Sequence, residues 1–191
     1  MTCLYPPEHL GGAPQQCESI ALAQLAEGHQ MSVFSGLLDP GGAMYEHRER
    51  EQDGVHVTLL NTVDAFDERS HRNYRHEEVE PFFERFLKQQ RPEVVHFHSI
   101  QSLGGSLLPL AKRAGARVAV TMHDLWWICA RQFCVDKTWH PCIPAVTPGS
   151  CHCQSGSVDL WKRNDYLRGC LDSCDVILSP SSALLDRIRS V

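Results

Sequence analysis

The spacing of apolar positions changes from segment to segment along the chain, and the changes mark out alternating strands and helices. Residues 2–5 open as a short β-like stretch that stops at Pro6-Pro7, because proline offers no N–H to a paired strand. Gly11-Gly12 follows, and then Cys17, Ile20, Ala21 and Leu25 recur at helical spacing until Gly28. Residues 31–34 read as a second strand, and Val55, Val57 and Leu59 alternate as a third behind the Asp53-Gly54 turn signal. Residues 36–52 between them read as a polar loop, and the charged, aperiodic residues 64–76 read as an exposed one. Val79, Phe82, Phe83, Phe86 and Leu87 then lie on one face of a helix whose first turn holds Pro81.

Residues 94–97 and 118–122 are short apolar, β-branched runs of the kind that buried parallel strands use, and residues 103–114 between them suffice for a crossover helix. The pattern repeats with a helix over residues 160–171, a strand over 176–178 and a last helix capped by Ser181 or Ser182. This alternation predicts an α/β fold with a doubly wound, mainly parallel Rossmann-like sheet, in one domain spanning residues 1–191. The first strand is very short and the last helix has no stop signal, so the reading expects a chain truncated at its C-terminus.

A chain of 191 residues, 42% hydrophobic and 21% charged, suits one ordinary globular domain. No apolar run approaches the ~20 residues of a spanning helix, and no charged stretch leads into an apolar one at Met1, so the expected location is cytoplasmic, with no support for membrane association. A net charge of −5, with only scattered Lys112-Arg113 and Lys162-Arg163 pairs, argues against nucleic acid as a partner.

The nine cysteines are unevenly distributed. Cys3, Cys17, Cys129, Cys170 and Cys174 fall in apolar or periodic segments and read as core thiols. Cys134, Cys142, Cys151 and Cys153 crowd a Cys-rich loop insertion over residues 129–156. Four thiolates would complete a tetrahedral zinc site with no open position, hence a structural one; disulfides and free thiols are the alternative readings. Trp126, Trp127, Trp139 and Trp161 gather around the same loop; Trp161 reads as core, and at least one of Trp126 and Trp127 as facing a crevice.

Gly11 and Gly12 sit between the first strand and the first helix, where helix N–H groups are free to meet an anion, although taken alone the pair reads first as an ordinary turn. His96, His98 and His123 end or follow strands, the edge at which open α/β sheets bind ligands. His96 reads as a partly buried imidazole bonded to backbone, away from His98. His98 and His123, with Ser99 and Asp124 beside them, are the candidates for a site.

In order along the chain, Tyr5-Pro6-Pro7-Glu8-His9-Leu10-Gly11-Gly12, Gly28-His29, Pro92-Glu93-Val94-Val95-His96-Phe97-His98, Thr121-Met122-His123-Asp124 and Ser179-Pro180-Ser181 resemble the motifs of bacterial family 4 glycosyltransferases of the GT-B fold. Ala13-Pro14 departs from the family's commoner continuation. The resemblance implies a retaining transferase that moves a sugar from a nucleotide-sugar donor, its substrate, to a hydroxyl acceptor such as a glycan, lipid or small molecule, with no catalytic metal. It implies further that this chain is the N-terminal, acceptor-side half, inactive without a C-terminal domain that grips the donor. In that reading Gly11, Gly12 and His98 belong to the donor-binding set, and His123 and Asp124 form the catalytic pair beside the transferred sugar. The alternative is a non-enzymatic Rossmann-like docking module with a zinc-stabilised Cys-rich loop.

Overall fold

A computed structural model describes residues 1–8, 11–136, 138–142 and 159–189. Their elements run α1 (Gly12–Ala26), β1 (Ser32–Leu37), β2 (His47–Gln52), β3 (Val55–Asn61), α2 (Glu80–Gln90), β4 (Val94–Phe97), α3 (Leu107–Arg113), β5 (Arg117–Thr121), α4 (Leu160–Leu171), β6 (Val176–Leu178) and α5 (Ser182–Arg189). One sheet has the order β1-β3-β2 and the other β4-β5-β6. All pairings are parallel except that of β2 with β3.

The first residues stitch the two sheets together. Thr2 donates to Phe34 O and accepts from Gly36 N, both at 3.3 Å, which places it beside β1. On its other side the Met1 amino group donates to His96 O at 2.7 Å, and His98 N donates to Met1 O at 2.9 Å. Gly36 is required for this arrangement, because a Cβ there would collide with the Cys3 carbonyl oxygen. The β-like start therefore acts as a short parallel strand at the centre of the sheet.

Strand alternation loads both faces, as a doubly wound sheet demands. Val33, Leu37, Val55, Val57 and Leu59 pack with Cys17 and Ala21 of α1 and with Tyr5. Phe34 and Leu60 point into the other layer with α2 and α3. There Phe83 is fully buried against Phe34, Phe86 and Phe97, with ring centroids 5.3, 6.1 and 6.1 Å away.

Three segments differ from the sequence expectation. The polar loop over residues 36–52 contains β2, an edge strand of sequence HREREQ with mostly exposed side chains, so it carries no apolar period to betray it. Residues 64–76 are not simply exposed: single turns of tight helix at Val63–Ala65 and His71–Asn73 bury Ala65 and Asn73, and His76 Nδ1 lies 2.6 Å from Ser102 O. The crossover helix starts later than expected, at Leu107, because Gly104 turns the chain at φ +96°, in contact with His76.

The helix over residues 160–171 forms as expected, capped by Asp159, whose carboxylate accepts from Trp161 N at 3.0 Å and Lys162 N at 3.3 Å. Trp161 itself is 51% exposed rather than core. No helix among the described residues is long and apolar enough to cross a membrane.

Candidate functional site

β4 and β5 run parallel with His96 opposite Ala119 and Phe97 opposite Val120, so the residues that follow them emerge side by side at the carboxyl edge. His98 follows β4, and His123 lies two residues beyond the end of β5. Their rings meet: His98 Nδ1 is 3.0 Å from His123 Nε2, with ring centroids 5.2 Å apart and planes 21° from parallel.

His96 belongs to the same stack, its ring centroid 4.2 Å from that of His98. Residues two apart on a strand share a face, which is why the expected separation of the two rings does not occur. Nor is its ring nitrogen bonded to backbone: Nε2 lies 2.7 Å from Thr121 Oγ1. Beside the stack the Cys3 thiol donates to Ser99 Oγ at 3.3 Å.

Burial lowers the pKa of all three histidines, to about 4 for His96 and about 2 for His98, the nearby Met1 amino group adding to the effect in both. For His123 burial is the sole cause of the downward shift. The stack is therefore neutral at neutral pH. His98 is 3% exposed, whereas His123 and Asp124 are half-buried and keep part of their surface open. Burial raises the Asp124 carboxyl, opposed by the Trp126 N–H it accepts at 2.8 Å and by the charge of Arg163.

The segment after Asp124 is held from beneath by α4. Arg163, with no exposed surface, donates to Trp126 O at 2.6 Å and to Asn164 Oδ1 at 2.9 Å. Its guanidinium lies 4.9 Å from the Trp126 ring centroid and 5.5 Å from that of Tyr74. Asn164 Nδ2 donates to Ile128 O at 3.0 Å, and Trp126 Nε1 to Asn73 Oδ1 at 2.8 Å. Trp126 is buried in this network and Trp127 is buried with its ring centroid 5.2 Å from that of Trp126, so the expectation that at least one of them faces a crevice is not met.

Sequence reasoning took Arg163 for half of a scattered basic pair. The available signal was its spacing from Leu160 and Leu167, which puts it on the buried face of the helix.

Gly12 is the first residue of α1 and Gly11 its cap, with extended backbone at φ 167° and ψ 167°. A Cβ at Gly12 would meet nothing within 4 Å, and one at Gly11 nothing nearer than Pro14 at 3.7 Å. Neither backbone angle nor packing requires glycine at these positions. Pro14 has no N–H, so the first-turn donors without a partner among the described residues are those of Gly12 and Ala13. Arg50 of β2 anchors the loop leading here, pairing with Glu8 and donating to Pro6 O at 2.8 Å. No hydrogen bond among the described residues joins Gly11 or Gly12 to the histidines.

Of the expected metal ligands, Cys151 and Cys153 lie outside the described residues. Cys142 N donates to Cys134 O at 2.6 Å. The Cys134 thiol pairs instead with Cys129, which was read as a core thiol. Cys129 is the more acidic partner, its thiol pulled down by the hydrogen bond with Cys134 and by the N–H groups of Cys134 and Arg131. Among the described residues no group of three or more His, Cys, Asp or Glu side chains is arranged for a metal, so the zinc expectation gains no support from them.

A family model described as a glycosyl transferase 4-like domain matches residues 11–190. The chain belongs to this family. No curated protein and no solved structure matches it. As a glycosyl transferase 4-like domain, it has as substrates a sugar donor and an acceptor, and its carboxyl sheet edge with the histidine stack is the candidate place for them.

Proposed function

We propose that this glycosyl transferase 4-like domain is the acceptor-side half of a retaining glycosyltransferase, and that a hydroxyl acceptor meets the transferred sugar of a nucleotide-activated donor at His123 and Asp124. The observation that carries the reading is the neutral His98–His123 pair at the carboxyl ends of two parallel strands, with His98 buried and His123 half-open. A neutral imidazole offers one donor and one acceptor, which suits sugar hydroxyls.

The open space at Gly11 and Gly12 and the free N–H groups of Gly12 and Ala13 suit a donor phosphate. A departing diphosphate needs positive charge where its own charge develops. Arg163, the cation that acts on Asp124, has no exposed surface with which to reach a ligand. We assign that charge to a C-terminal donor domain, and on this reading the chain alone transfers no sugar.

Saturation-transfer NMR of the purified chain against nucleotide sugars and candidate acceptors, with His123→Ala as control, tests the reading. Acceptor signals that vanish in the variant, with weak or absent donor signals, support it. A folded chain that binds no sugar, or one that turns over donor unaided, sinks it.

A further inference from the structure

His98 and His123 face each other through one nitrogen each, and the 3.0 Å between Nδ1 and Nε2 has room for one proton. Two neutral imidazoles can place it in two ways. If His98 Nδ1 carries the proton, His123 accepts at Nε2 and must carry its own proton on Nδ1. If His123 Nε2 carries it, His98 accepts at Nδ1, and both rings adopt the Nε2–H form. That form is the more stable one for a free neutral histidine, so the second arrangement sets both rings in their preferred state.

The geometry restricts further choice. His98 is buried, its backbone N–H is held by Met1 O, and the His96 ring lies against it at 4.2 Å, so it cannot turn to offer another edge. His96 is itself engaged at Nε2 by Thr121. Among the described residues, Nδ1 of half-open His123 has no hydrogen-bond partner. The neighbouring Asp124 carboxylate is turned to the Trp126 N–H.

We propose that His98 is a positioning residue that locks His123 in the Nε2–H tautomer, so that a bare Nδ1 lone pair faces the crevice and receives a hydrogen bond from a hydroxyl of the acceptor. The ligand atom selected there is an O–H donor, not a carbonyl or phosphate oxygen, which could only accept. The proposal rests on the acceptor-side reading for the identity of the ligand, while the tautomer lock belongs to this chain's own residues.

Imidazole nitrogen NMR on labelled chain without ligand, at a pH above the ordinary histidine range, tests the lock. The wild type is expected to show one fixed tautomer at His123, with a pyrrole-type Nε2 and a pyridine-type Nδ1. His98→Leu, which fills the space without an acceptor, is expected to release His123 into an averaged mixture. His98→Asn, whose amide oxygen can stand in for Nδ1, is expected to restore the fixed form.

A pyrrole-type Nδ1 or a mixture in the wild type overturns the proposal. So does a wild-type pattern in a folded His98→Leu chain, or a mixture that persists in His98→Asn, since packing alone would then be at work. Should His98→Leu not fold, the wild-type and His98→Asn spectra still decide. Because no substrate is present, a failed lock leaves the acceptor-side reading standing, and the saturation-transfer test can fail with the lock intact.

Discussion

Gly36→Ala tests whether the segment at residues 1–2 holds the two sheets, and with them the histidine stack, together. The added methyl collides with the Cys3 carbonyl and also stands 3.1 Å from Thr62 Oγ1, so the chain must shift. Overpacking of this kind costs ~1–3 kcal/mol. If the segment lifts instead, the Thr2 bonds to Phe34 and Gly36 are lost, at about 1 kcal/mol each. Either route gives about 2 kcal/mol, and a domain of this size loses about 2–4 °C of melting temperature per kcal/mol. Urea unfolding reads the stability, and amide exchange at His98, whose N–H is held by Met1 O, reads the local loosening. Gly12→Ala supplies the contrast. Its Cβ meets nothing within 4 Å, so the substitution is expected to be neutral or to add about 0.5 kcal/mol through backbone entropy. A Gly36→Ala chain as stable as wild type, with His98 still protected, would refute the reasoning.

Phe83→Ala removes a fully buried ring from its three aromatic neighbours and is expected to cost about 3–5 kcal/mol in urea unfolding; a loss below about 1 kcal/mol would mean that the layer collapses onto the gap. Arg163→Lys keeps the charge but cannot serve Trp126 O and Asn164 Oδ1 with one planar fork, so a loss of about 1–3 kcal/mol and a shifted Trp126 indole N–H signal are expected; an unchanged indole signal would place the anchor elsewhere. Stability is expected to fall as pH drops from the ordinary histidine value of 6.5 toward about 4, because the unfolded chain then binds a proton that buried His96 refuses, and His98 and His123 act in the same direction. Asp124, raised by burial, opposes this trend in the lower part of the window, and a melting temperature that stays flat or rises on acidification through it would contradict the burial of the stack.

The legible parts of the chain were those where one physical signal dominates. The β-branched runs of β4 and β5 and the capped helix α4 carry apolar patterns that fix element type, and the structure places them where those patterns do. Strand β2 was illegible because an edge strand with mostly exposed charged side chains has no apolar alternation to read. At the site, the two strand ends pointed to His98 and His123, and strand pairing brought them into contact. The helical spacing of Arg163 from Leu160 and Leu167 marked its buried face, but its partner Trp126 O and the pairing of Cys129 with Cys134 depend on neighbours distant in sequence or on the fold of an irregular segment, which local spacing does not encode.

Charge near the histidine stack bears on two tasks of the proposed reaction. In the proposed reaction, holding an acceptor hydroxyl needs hydrogen-bonding groups, whereas releasing a nucleoside diphosphate needs positive charge at the leaving oxygens. The histidine stack is kept neutral by burial, and Arg163 sits under the Trp126 carbonyl with no exposed surface. The same guanidinium supports the segment that carries Asp124 and Trp126, so moving it outward to serve a phosphate would orphan Trp126 O and unseat the wall of the crevice. Its position is therefore a structural commitment, and Arg163 is not a charge that could serve a leaving phosphate.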